Sequence, residues 1–149
     1  MTEVLFYHLT ESTLEEALPS LLERSLERGW RATVQTASEE RRDVLDAHLW
    51  TYRDDSFLAH GTDGVPHAEH QPVLLTTGEG NANGSQVRFV VEGAEPPDLS
   101  AYARGVVMFD GHDDDQLSAA RRQWSALKSA GHDVTYWQQG ADRRWQKKA

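Results

Sequence analysis

The sequence predicts an α/β fold built on a mostly parallel sheet, with an antiparallel element near the middle or the C-terminus. Three observations carry this. Strand and helix patterns alternate from residue 3 to residue 50, and strand–helix–strand order implies parallel strands joined by right-handed crossovers. Gly105–Phe109 (GVVMF) is a short apolar run with adjacent valines, as in a strand covered on both faces. Two further strand-like runs are separated only by the polar stretch GEGNANGS. That is too short for a helical crossover, so the pair is expected to be antiparallel.

Taken in order, Glu3 to Leu9 (EVLFYHL) is the first strand. Thr10 to Gly29 is a helix with an apolar face of Leu14, Ala17, Leu18, Leu21, Leu22 and Leu26. Ser12 with Glu15, or Thr13 with Glu16, can form a capping box. Pro19 inside the pattern predicts a kink or a shortened regular part, and Gly29 closes the end. Trp30 to Thr36 is the second strand. Ser38 caps a helix from about Glu39 to Trp50, with Val44, Leu45, Ala47, His48 and Leu49 partly inward. Trp50 to Gly61 is aromatic without a period, and Thr62 to Gln71 is loop by composition.

Gln71 to Thr77 and Gln86 to Glu92 are the two strands around the polar turn Gly78 to Ser85, and Gly93 to Ser100 is a loop. After Gly105–Phe109, Asp110-Gly111-His112-Asp113-Asp114-Asp115 turns the chain and places carboxylates at a helix start, where the dipole favours them. In that helix Leu117, Ala120, Trp124 and Leu127 form one stripe, and Arg121, Trp124, Ser125 and Lys128 form a second beside it. Gly131 ends the helix, and Asp133 to Trp137 is the next strand. A turn at Gln139 to Asp142 leads to an edge strand within Arg143 to Lys148, whose lysines discourage further pairing.

A chain of 149 residues is expected to be one domain, residues 1–149, large enough to need no staple. It has no cysteine, which excludes disulfides, thiolate metal sites and cysteine nucleophiles. MTEVLFYHLTEST has no basic segment and no long apolar core, and no run approaches the ~18 apolar residues of a membrane span. A cytoplasmic protein is expected. The net charge of −9 argues against a general nucleic-acid binder. Its distribution is uneven: residues 120–149 hold seven basic and two acidic side chains (+5), and residues 1–119 hold eight and twenty-two (−14). This predicts a positive site on an acidic body, suited to an acidic partner.

Several chemistries can be weighed. GEGNANG lacks the Gly-Lys-Ser/Thr of a phosphate loop and opens no helix, so it is a turn. His60, His67 and His70, with Glu69 or Asp63, offer metal-ligand types in one loop, but scattered surface histidines are the default and no cofactor is expected. Asp110 with Asp113, Asp114 and Asp115 sits after a parallel strand, where α/β sheets place ligands. A small hydrolase or phosphotransfer enzyme using these carboxylates is the alternative reading, against the simpler one in which they cap and feed the helix. Trp50, Tyr52, Phe57 and Leu58 are core beneath a loop or an exposed patch for a partner protein. Direct single-stranded DNA binding through the basic tail, with stacking on Trp145 or Trp137, is a weaker third reading.

Four stretches carry a resemblance: FYHLTESTLEEALPSLLERSLERGWR, LWTYRDDSFLAHG, QPVLLTT and VVMFDGHDDDQLSAARRQWSALKSAGHDVTYWQQ. In that order they closely resemble the chi subunit family of bacterial DNA polymerase III holoenzyme, over nearly the whole chain. The resemblance implies a three-layer α/β/α sandwich and a non-catalytic subunit of a DNA-directed DNA polymerase, a nucleotidyltransferase. It implies a link between the clamp loader and single-stranded DNA-binding protein, whose acidic, phenylalanine-ending tail enters a basic pocket with an aromatic wall. It also implies pairing with the small psi subunit. The family's tail-binding arginine falls on Arg121, its aromatic neighbour on Trp124 and the pocket position of the following strand on Tyr136. Ser125 stands where the family has a lysine, and Arg122 or Lys128 is expected to supply that charge. On the psi surface Trp50 and Phe57 match, Ser56 and His60 keep the local pattern, and Ala59 replaces a frequent proline.

Overall fold

A computed structural model describes residues 2–51, 59–63 and 67–149. Its elements are β1 (Glu3–Leu9), α1 (Leu14–Glu27), β2 (Ala32–Gln35), α2 (Glu39–Thr51), β3 (Gly61–Thr62), a 3-10 turn (Ala68–His70), β4 (Val73–Thr76), β5 (Val87–Val91), β6 (Arg104–Asp110), α3 (Asp114–Ser129), β7 (Asp133–Gln139) and β8 (Trp145–Lys147). One eight-stranded sheet runs β3-β4-β2-β5-β6-β1-β7-β8. Every pairing is parallel except β7 with β8. The antiparallel element is therefore at the C-terminal side, and the two-residue strand β3 is an element the composition of its loop concealed.

The layers follow from alternation along the strands. Val34, Phe89, Val91, Val106 and Met108 face α1 and α2 in one cluster; Val4, Phe6, Val90, Val107 and Phe109 face α3 in the other. Helix α1 begins at the capping box of Thr13 and Glu16, the second of the two expected starts, and ends before Gly29 in the left-handed region. Pro19 lies inside it. Proline has no N–H for the Glu15 carbonyl four residues back, and His48 Nε2 of α2 meets that carbonyl at 2.7 Å. In α2 only Leu45 and Leu49 are buried; Val44 is 44% exposed and Ala47 is also outward, contrary to expectation.

The expected antiparallel pairing of the two central strands is overturned. β4 and β5 do not touch; both lie parallel to β2, one on each side. A helix is not needed to return the chain, because residues 77–86 span up to ~33 Å when extended. The return needs only about four residues of rise and two strand spacings, roughly 16 Å. The loop runs back over the α3-side face and takes the place of a helix there. Asn83, 2% exposed, bonds the Ala32 and Gln71 carbonyls at 3.1 and 2.9 Å. Arg88, 0% exposed, donates to the Gly80 carbonyl at 2.9 Å, the Tyr102 hydroxyl at 2.9 Å, the Gly78 carbonyl, and Gln35 Oε1 from both Nε and Nη2.

Candidate functional site

The stripe pattern of α3 places its residues unequally. Ala120, Gln123 and Leu127 are buried, Leu117 and Trp124 are half-buried, and Arg121, Arg122, Ser125 and Lys128 are exposed. Gln123 was not foreseen as inward; its side-chain amide donates to the Ala94 carbonyl at 2.9 Å and fixes the loop after β5. The N-cap of α3 is Asp113, which accepts from the Gln116 N–H at 3.1 Å.

Between α3 and the sheet lies a hollow of about 400 Å³, lined by His8, Phe109, Leu117, Ala120, Arg121, Trp124, Ser125 and Tyr136. Trp124 stands edge-on to Phe6 (5.4 Å between centroids, 69°) and to Tyr136 (6.1 Å, 85°). Two aromatic contacts of this kind hold the indole rigidly while leaving part of it open to the hollow. Lys128 Nζ sits 5.8 Å from the Trp124 ring centre, a cation over its face. Arg121 has no acidic partner among the described residues. Arg122 points away: it pairs with Glu95 at 2.6 Å and lines a separate groove with Pro96 and Pro97. So Arg121, Trp124, Ser125 and Tyr136 are brought together, Lys128 joins at the rim, and Arg122 does not.

His8 and Phe109 are pocket residues the sequence analysis missed. Pairing of β1 with β6 sets His8 opposite Phe109, and their rings stack at 4.9 Å and 26°. His8 Nδ1 makes a short hydrogen bond with the Tyr136 hydroxyl. Burial pushes the His8 pKa down and His112 adds to this, against Asp110, which raises it. The ring is thus neutral near pH 7, and its Nδ1 shares a hydrogen bond with the Tyr136 hydroxyl. Burial pushes the Tyr136 hydroxyl up, against the charge of Arg121, which lowers it. Gly111 is required by this packing: a Cβ there would lie 2.0 Å from His8 Nε2. The missing signal was strand order, since only the parallel neighbours of β1 tell which face His8 shares.

A second hollow, about 290 Å³, lies at the C-terminal ends of β1 and β6, beside Thr10–Glu15, Asp110 and His112. Several of its backbone donors are already used. Gln139 Oε1 accepts from the N–H groups of Thr10, Glu11 and Ser12 at 3.3, 3.2 and 3.0 Å. Asp110 accepts from the His112 N–H at 2.8 Å. Asp114 and Asp115 lie in the first turn of α3. Each carboxylate of the DGHDDD run thus has a turn or helix-start role.

His67, Glu69 and His70 do come together on the surface, with ligand atoms within 4.8 Å of one another. His60 is elsewhere, buried with Nε2 3.0 Å from the Asp46 carbonyl, and Asp63 is engaged by Arg42 and Thr76. Trp50 is 50% exposed at the end of α2, its ring 4.4 Å from that of His60. Tyr52, Ser56, Phe57 and Leu58 lie outside the described residues.

Comparison with known proteins identifies the family of the chain. The chain is similar to a probable DNA polymerase III subunit chi of Rickettsia prowazekii (strain Madrid E), 24% identical over 100 residues, which are 67% of this chain and 59% of that relative. The chain thus matches less than two thirds of the relative's length. The family model of the DNA polymerase III chi subunit, HolC, matches residues 1–135. With that model covering most of its 149 residues, the chain belongs to the DNA polymerase III chi subunit family.

Proposed function

We propose that this chain is an accessory, non-catalytic subunit of the polymerase holoenzyme that holds the acidic tail of single-stranded DNA-binding protein in the Trp124 hollow. The observation that carries the reading is a guanidinium, Arg121, with no acidic partner among the described residues, beside a half-open indole over an apolar floor. A C-terminal phenylalanine suits both parts. Its ring enters the space between Trp124, Phe109 and Leu117, and its terminal carboxylate meets the fork of Arg121. Aspartates further up the tail face Lys128 at the rim. Ser125 contributes a hydroxyl where the family has a lysine, so this pocket relies more heavily on Arg121. A site of this size fits micromolar affinity, about −8 kcal/mol, weakened by salt.

The test is calorimetric titration with a peptide of the last residues of the cognate single-stranded DNA-binding protein, with and without its terminal phenylalanine. Micromolar binding that disappears when the phenylalanine is removed, and that weakens about ten- to a hundredfold with Arg121→Ala, is expected. Equal binding of the truncated peptide overturns the reading. Pairing with psi and the clamp loader through the Trp50 region is part of the same proposal. It is supported by the exposure of that indole, and Trp50→Ala should abolish co-purification with psi while leaving tail binding intact.

A further inference from the structure

We propose that the open end of the β1–β7–β8 sheet face is a second binding site, which takes single-stranded nucleic acid on the side of the sheet opposite the Trp124 hollow. Neighbouring residues of a strand point to opposite faces. Tyr136 faces the tail pocket, so Trp137 faces away. Helices α1 and α2 pack over β6, β2, β3 and β4 and leave this end of their face partly open, where Tyr7, Thr135 and Trp137 are half-buried.

Register sets Tyr7, Trp137 and Lys147 side by side in one row. The Tyr7 and Trp137 rings are 6.5 Å apart at 35°. Trp145 braces Tyr7 edge-on at 4.6 Å. Trp137 Nε1 already donates to Thr135 Oγ1 at 3.0 Å, so the indole offers a stacking face and no polar readout. From this row the surface leads into a hollow of about 440 Å³ under the end of α1. Arg24, Arg28 and Arg104 line it, with Glu27 as the one carboxylate among the described lining residues. Arg28 and Arg104 also lie over the Trp30 ring, at 4.2 and 5.3 Å, and Arg104 holds Glu3 at 3.1 Å. Ring faces followed by guanidinium groups match bases followed by phosphates. The acidic remainder of the molecule is screened beyond roughly 8–10 Å, so the local charge decides contact. A duplex has no open base faces and is not accepted. The two sites are back to back on β7, and occupation of one leaves the other accessible.

The experiment is fluorescence anisotropy of a labelled oligothymidylate of about 20 nucleotides with the full chain, at about 50 mM salt and then at about 200 mM. Saturable binding that weakens with salt is expected. The double variant Arg24→Glu, Lys147→Glu alters exposed side chains and should lower affinity at least tenfold, with tail-peptide binding unchanged. Trp137→Ala should lower it about fivefold or more, and the oligonucleotide should quench tryptophan fluorescence of the unaltered chain. Absence of binding at about 100 μM protein in low salt overturns the proposal. So does wild-type affinity of the charge-reversed variant, or equal binding of a duplex of the same length.

Discussion

Arg88 and Arg121 are the same side chain in opposite conditions. Arg88 is fully buried and spends its donors on Gln35, Tyr102 and the carbonyls of Gly78 and Gly80. It has no carboxylate partner among the described residues; amide and hydroxyl dipoles carry its charge, and in exchange it holds the return loop onto the sheet. Arg121 is exposed, lines an apolar hollow and has no acidic partner among the described residues. The difference separates a cation whose work is internal from one left for something outside. A buried polar group must be satisfied by the fold itself. An unpaired charge at the mouth of a pocket is the feature that a partner can complete.

The largest expected effect comes from breaking the internal member. Arg88→Met leaves two loop carbonyls and Gln35 without their donor, and should cost about 3 kcal/mol or more in urea unfolding. The folded fraction should bind the tail peptide normally. A loss under about 1 kcal/mol would mean that Asn83, Ser85 and their partners hold the loop without Arg88.

Arg121→Ala should do the reverse. Tail affinity should fall ten- to a hundredfold, on the order of 1.5–3 kcal/mol for hydrogen bonds to a charged group. Stability should stay within about 0.5 kcal/mol, as for other surface substitutions. If stability falls instead, the contrast between the two arginines collapses.

The pocket floor gives a smaller, pH-dependent effect. Burial lowers the His8 pKa in the folded chain, so the unfolded chain binds a proton first as pH falls. This contribution is fully present above about pH 6.5 and is lost as pH drops through the interval between the unfolded and the lowered folded value. Urea midpoints followed between about pH 7.5 and 5 should therefore decline, and His8→Gln should flatten part of that slope. An unchanged slope would place the titration elsewhere.

The smallest effect belongs to Arg122. It is exposed and engaged with Glu95, and it holds the Glu95 carboxyl below its ordinary range. Arg122→Ala should leave the melting temperature and tail affinity essentially unchanged. A loss of affinity matching that of Arg121→Ala would show that Arg122 reaches the pocket when the tail binds.

Much of this was legible in local pattern, and the misses share a cause. Capping residues marked the starts of α1 and α3, Gly29 and Gly131 marked their ends, and the overlap of two stripes at Trp124 pointed to the site. Those signals act within a few residues, as helix periodicity and backbone stereochemistry do. The polar run Gly78–Ser85 has the composition of a hairpin turn, and nothing local says where β2 lies. The inward Gln123 and Arg88 were also invisible, since each is stabilised by a loop carbonyl that only the folded path of the chain brings to it.

The sequence by itself determined the alternation of strands and helices, the amphipathic α3 and the cationic character of the C-terminal part, because these depend on spacing and on residue chemistry. Tertiary structure alone decided that β2 separates β4 from β5, that β1 lies between β6 and β7, and hence that His8, Phe109 and Tyr136 meet beneath Trp124. Strand order joins residues more than a hundred positions apart. No periodicity within a strand records its neighbours, so the floor of the pocket exists only once the sheet is assembled.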